Sequence, residues 1–120
     1  MSRELGNWGE EAAARYLMKN GYEILMRQYH TRQGEIDLIA KKGEFLAFVE
    51  VKLRKSASFG RAIEAVTRQK QMRIQAAAQM YWAEFTPELQ PRFDVIEVYA
   101  PFGEKTKTPQ IIHWKNAFSL

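Results

Sequence analysis

Asp37, Glu50 and Lys52 are the residues whose types and spacing bear most directly on chemistry. They lie on two alternating stretches, Glu35-Ile36-Asp37-Leu38-Ile39-Ala40 and Phe48-Val49-Glu50-Val51-Lys52-Leu53-Arg54. Glu35 and Asp37 share one parity and Ile36, Leu38 and Ala40 the other. Glu50, Lys52 and Arg54 share one parity and Val49, Val51 and Leu53 the other. Such alternation gathers like residues on one face of a strand. Lys41-Lys42-Gly43-Glu44 lies between the stretches and reads as a hairpin turn. Asp37 and Glu50 stand six and seven positions from Gly43, so an antiparallel pair turning there sets them nearly opposite, with Lys52 one step along. Charges inside apolar strands are costly unless they bind something, and a divalent cation is the natural occupant. Mg²⁺ or Mn²⁺ suits two hard carboxylates, and the backbone carbonyl of Val51 offers a third oxygen. The competing reading is a surface ion-pair ladder across a hairpin. Leu46 and Phe48 precede Glu50 on the same side, so the charges emerge from a buried strand, which counts against that reading.

This donor set matches phosphodiester hydrolysis, in which a metal activates water, neutralises the phosphate and stabilises the leaving oxygen. Lys52 then has two open roles. With a lowered pKa it can deprotonate the water, and otherwise it is a fixed positive charge on the phosphate.

The elements that must position these groups can be read in outline. A helix is expected from about Leu5 to Asn20, with Trp8, Ala12, Ala13, Tyr16 and Leu17 on its apolar stripe and Asn20-Gly21 closing it. Glu11 is four residues from Arg15, an exposed pair. Glu10 lies on the row of Gly6, Ala13 and Leu17 and points toward the sheet or to the edge of the stripe. Strands are expected over Tyr22–His30, Glu35–Lys41, Phe45–Arg54, Arg92–Ala100 and Gln110–Trp114. A Ser/Gly loop spans Lys55–Gly60, and a long helix spans Ala62 to about Ala83. In that helix either Gln69 or Lys70 can face the sheet, although most of its Gln and Lys residues belong in water. Arg92–Ala100 is apolar on both parities, the mark of an interior strand. The order is α-β-β-β-α-β-β, an α/β domain with a mixed sheet flanked by helices. Trp8 and Trp82 read as core, His30 and His113 as structural or exposed, and Phe102 and Trp114 as packing locally.

The 120 residues suffice for one domain with a real core, and 46% of them are hydrophobic. No run is long and apolar enough to cross a membrane. Glu4, Glu10 and Glu11 interrupt any signal-peptide core. The chain has no cysteine, which excludes disulfides, thiolate metal sites and Cys nucleophiles. A cytoplasmic location fits these features. From Lys52 to Arg73 there are seven basic residues (Lys52, Arg54, Lys55, Arg61, Arg68, Lys70 and Arg73) against Glu64 alone, a local net of +6. Such a stretch is a polyanion-binding signal or a solvated helix face.

Asp37 followed after twelve residues by Glu50-Val51-Lys52 resembles the PD-(D/E)XK signature of restriction-endonuclease-like nucleases. A wider set is more particular: Gly9-Glu10 with Ala13 and Tyr16-Leu17, then Gly21-Tyr22, Gly34 to Ala40, Phe48 to Arg54, Phe59-Gly60, Lys70, and Arg92-Phe93-Asp94-Val95-Ile96. This set resembles the bacterial YraN-like family of predicted endonucleases, relatives of archaeal Holliday-junction resolvases, over about Gly6 to Val98. The resemblance implies a restriction-endonuclease-like core, metal binding by Asp37 and Glu50, Lys52 as the catalytic lysine, and functional glutamates at Glu10 and Glu35. Ile36 replaces the proline of the signature. The implied function is metal-dependent cleavage of DNA, selective for branched or damaged substrates. DNA is the implied partner, and a homodimer is allowed. The alternatives are a nucleic-acid-binding module that keeps the fold without cutting, and a scaffold with no nucleic-acid partner.

Overall fold

The computed structural model describes residues 3–55 and 66–119. These form helix α1 (Arg3–Lys19), strands β1 (Glu23–His30), β2 (Glu35–Lys42) and β3 (Phe45–Arg54), helix α2 (Arg68–Phe85), and strands β4 (Gln90–Tyr99) and β5 (Gln110–Phe118), with a 3-10 turn at Gly103–Lys105. The expected order holds. The five strands lie in the sheet in chain order. All neighbours are antiparallel except β3 and β4, which run parallel because the chain returns through α2 between them.

Each face of the sheet buries its own core. Beneath α1, Ala13, Ala14 and Leu17 pack on Leu38, Ala40, Ala47, Val49, Ile96 and Val98. Beneath α2, Ile74, Ala77, Ala78 and Tyr81 pack on Ile39, Leu46, Phe48, Phe93 and Val95. β3 and β4 are therefore apolar on both parities, as a strand covered on both faces must be. Trp8 and Trp82 pack, partly buried, against these two cores. The β2–β3 turn places Gly43 at φ +61, a left-handed conformation that glycine adopts without steric cost. It fixes the register Lys42↔Phe45 through Leu38↔Val49.

Two boundaries and one side chain differ most from expectation. α2 begins at Arg68 rather than Ala62. Thr67 is extended (φ −60°, ψ 157°) and its side chain accepts from Lys70 N, the arrangement of an N-cap. The expected loop from Ser56 and the earlier helix residues up to Ala65 lie outside the described residues. β5 runs on to Phe118 because the Asn116 amide donates to Asp94 Oδ1 at 2.9 Å, which holds the strand past a left-handed residue (Asn116, φ 53°). Phe102, expected to pack locally, is 74% exposed.

Candidate active site where two strands part

The β2–β3 ladder ends at Leu38↔Val49, yet each strand keeps its other neighbour. β2 stays paired with β1 to Glu35, and β3 with β4 to Arg54. The two strands therefore part where Asp37 and Glu50 stand. A side chain takes over from the missing ladder bond, since Val51 N donates to Asp37 Oδ2 at 2.8 Å. The Val51 amide is thus engaged by Asp37, on the same residue whose carbonyl was expected to offer a metal its third oxygen.

Glu50 is only 6% exposed, which rules out a surface ladder. Burial and then the neighbouring Asp37 carboxylate push its pKa up to about 7, and the two carboxyls are close enough to hydrogen-bond. Lys70 reaches down from the first turn of α2 and sets Nζ 3.2 Å from Glu50 Oε1. Lys52 stands beside them. Burial and then the Lys70 ammonium pull the Lys52 amine below its ordinary range, against the attraction of Glu50. Burial works against the charge on Lys70, but Glu50 outweighs it and raises the pKa of Lys70. The arrangement contains a buried carboxyl held toward its protonated form beside a second carboxyl, one amine made easier to deprotonate and one held charged. Asp37 and Glu50 fit a hard divalent cation, which typically takes one or two carboxylates and completes its shell with water. Like-charge crowding at buried Glu50 is the strain such a cation relieves. Among the described residues no group of three or more acidic or histidine side chains is placed to hold a metal.

Glu10 and Glu35 lie at the edge of this centre. With Gln28, His30, Ile36 and Asp37 they line a cavity of about 120 Å³. Burial raises Glu10, the Gln28 hydrogen bond opposes this, and Asp37 and Glu35 add to it. Glu35 is exposed and pairs with His30 Nδ1 at 2.9 Å, which keeps it at the rim. Gln28 gave no signal in the sequence. Its backbone is left-handed (φ 48°), an uncommon state for a non-glycine residue, and its Nε2 donates to Glu10 Oε1 at 3.0 Å.

The basic stretch is divided by the fold. Arg54 Nε pairs with buried Glu97 at 3.1 Å, and Glu97 also accepts from Trp114 Nε1 at 2.7 Å. Lys70 is committed to Glu50. Lys55, Arg68 and Arg73 are exposed or partly so, and Arg61 lies outside the described residues. Gln69, Lys70 and Arg73 line one wall of a cleft of about 460 Å³, with Thr31, Arg32 and Gly34 opposite. Gly34 permits this closeness, because a Cβ there would lie 2.6 Å from Arg73 O.

The His113 side chain is buried rather than free. It lies between Asp94 Oδ2 (2.7 Å) and Tyr16 Oη (3.1 Å), and Arg92 bridges Asp94 to Tyr22. This network is on the α1 face and ties β4, β5 and α1 together.

Residues 9–98, which include every one of these acidic and lysine positions, match the model of Uncharacterised protein family UPF0102. A UPF0102 protein of Syntrophomonas wolfei is 48% identical over 120 residues, covering 98% of this chain and 100% of the relative. One of Caldicellulosiruptor saccharolyticus is 44% identical over 117 residues, covering 97% and 98%. One of Rhodococcus opacus is 44% identical over 115 residues, covering 95% of each. With identity at this level along nearly the whole length, the chain belongs to the UPF0102 family, the YraN-like group that its motifs resemble.

Proposed function

We propose that this protein is a metal-dependent DNA endonuclease that hydrolyses phosphodiester bonds, with Mg²⁺ or Mn²⁺ held by Asp37 and Glu50. The observation that carries the reading is the gathering of Asp37, Glu50, Lys52 and Lys70 where β2 and β3 part, with Glu50 buried. Two carboxylates and two amines crowded in one partly dry place are costly to maintain for folding alone.

When bound, the metal supplies charge neutralisation and polarises a water. Asp37 is oriented for this by the Val51 amide, and Glu50 by its place on the central strand. Lys52, with its lowered pKa, takes a proton from the attacking water at Nζ. The water oxygen bonds to phosphorus as the bond to the leaving sugar oxygen breaks, and that oxygen is protonated from solvent. Lys70, Arg73 and Arg32 flank the cleft through which the phosphate backbone approaches.

The test is cleavage of four-way junction, flap, single-stranded and linear duplex DNA with Mg²⁺ or Mn²⁺. Activity is expected to be abolished by EDTA and reduced at least about 100-fold in Asp37→Asn and Lys52→Ala. Activity that survives EDTA, or that stays at the wild-type level in the two variants, would sink the reading. The pairing of Lys70 with Glu50 favours a second reading, a nucleic-acid-binding module that does not cut. It predicts salt-dependent DNA binding with no Mn²⁺ uptake by calorimetry.

A further inference from the structure

We propose that Lys70 is a built-in counter-ion that occupies the cation position at Glu50, so that a divalent metal and the Lys70 ammonium exclude one another there. The inference rests on the metal-site reading above. Lys70 Nζ lies 3.2 Å from Glu50 Oε1, one of the oxygens a metal would need. A buried carboxylate without a cation is strongly unfavourable, and Lys70 supplies one from a different element. It can also be withdrawn. Its side chain is 41% exposed, whereas that of Glu50 is 6% exposed, and Lys70 already lines the cleft shared with Arg73 and Arg32. The backbone beneath it stays in place, held by Thr67 Oγ1 accepting from Lys70 N at 3.1 Å and by buried Ile74 one turn on. Only a side-chain rotation is required.

The second lysine strengthens the case. Lys52 stands beside Lys70, so a cation at Glu50 would meet the Lys52 amine as well as the Lys70 ammonium. Lys52 is fixed on the sheet, and Lys70 is the one with an open way out. Once withdrawn, Lys70 adds its charge to the cleft. Cation binding at Glu50 is thereby coupled to anion binding in the cleft, with the same coupling factor in both directions.

The experiment is Mn²⁺ titration of the full chain by calorimetry, comparing wild type with Lys70→Met, which keeps the length and loses the charge. Lys70→Met is expected to bind Mn²⁺ at least about fivefold more tightly. Equal or weaker affinity with binding intact in both proteins overturns the counter-ion role and leaves the metal site standing. No Mn²⁺ uptake by either protein overturns both. A second measurement needs no variant: the acylation rate of Lys70 in wild type, followed by mass spectrometry, should rise severalfold on adding Mn²⁺. An unchanged rate overturns the inference.

Discussion

At the scale of single residues, Glu50 sets the conflict between folding and chemistry. Its carboxyl is buried beside Asp37 and its pKa is raised to about 7. A carboxyl raised above its unfolded value binds more protons in the native state, so it opposes folding as pH rises. The decline should run between the unfolded value near 4.5 and about 7, and be complete above that. Glu50→Gln should remove that slope and stabilise the metal-free protein at pH 8 by up to about 3 kcal/mol. Urea unfolding of both proteins at pH 5 and pH 8 would check this. An equal or lower stability of the variant at pH 8 would contradict it. Stability gained by neutralising a charged site residue fits the trade-off between stability and activity.

At the scale of elements, the first turn of α2 carries the one site side chain that can swing away. Thr67 caps it and Lys70 hangs from it. Thr67→Ala should cost about 1 kcal/mol and should loosen Lys70 more than Lys52, which is held on β3. Amide exchange read by mass spectrometry should increase at residues 68–71 and stay unchanged along β3. The start of this helix was only partly legible. Thr67 is a recognisable cap, but the run of helix-compatible residues before it concealed the boundary. The hairpin was fully legible, because counting from Gly43 requires nothing beyond strand geometry. Lys70 was not, because helical spacing gives a face and not a depth. Gln69 and Lys70 were equal candidates until the crossover from β3 to β4 placed one of them over Glu50.

For the whole molecule, Asp94 fastens the sheet to α1. It is fully buried. Burial works against its charge, but His113, Arg92 and the Asn116 amide outweigh it and lower the pKa. A lowered carboxyl contributes stability that is complete above its unfolded value near 4 and lost as pH falls below it. Asp94→Asn should therefore cost about 3–5 kcal/mol at neutral pH and flatten the acid limb of the unfolding profile, as measured by chemical denaturation from pH 3 to 7. The charge distribution gives a separate expectation. With Arg54 held by Glu97, the cations that the proposed DNA partner would meet include Lys55, Arg68 and Arg73. The logarithm of affinity should fall with log salt at a slope of about −3. Arg73→Ala should reduce that slope by about one, and Arg54→Gln should leave it unchanged. Filter-binding titrations at several salt concentrations would separate the two.

The sequence by itself determined the strand pair, the turn at Gly43, the alternation that sets Asp37 opposite Glu50, and the order of elements, because these follow from periods of two and 3.6 residues acting over short distances. Tertiary structure alone decided which charges are buried, since burial depends on what the other elements cover. It drew Lys70 onto Glu50, put Arg54 out of reach beside Glu97, bent Gln28 toward Glu10 and enclosed His113 against Asp94. It also parted β2 from β3, because each strand keeps a partner on its far side when the ladder between them ends. Asp37 and Glu50 were visible as a pair from the start. Their partial desolvation, on which the proposed chemistry rests, comes from the two helices and from the chain's return through β4.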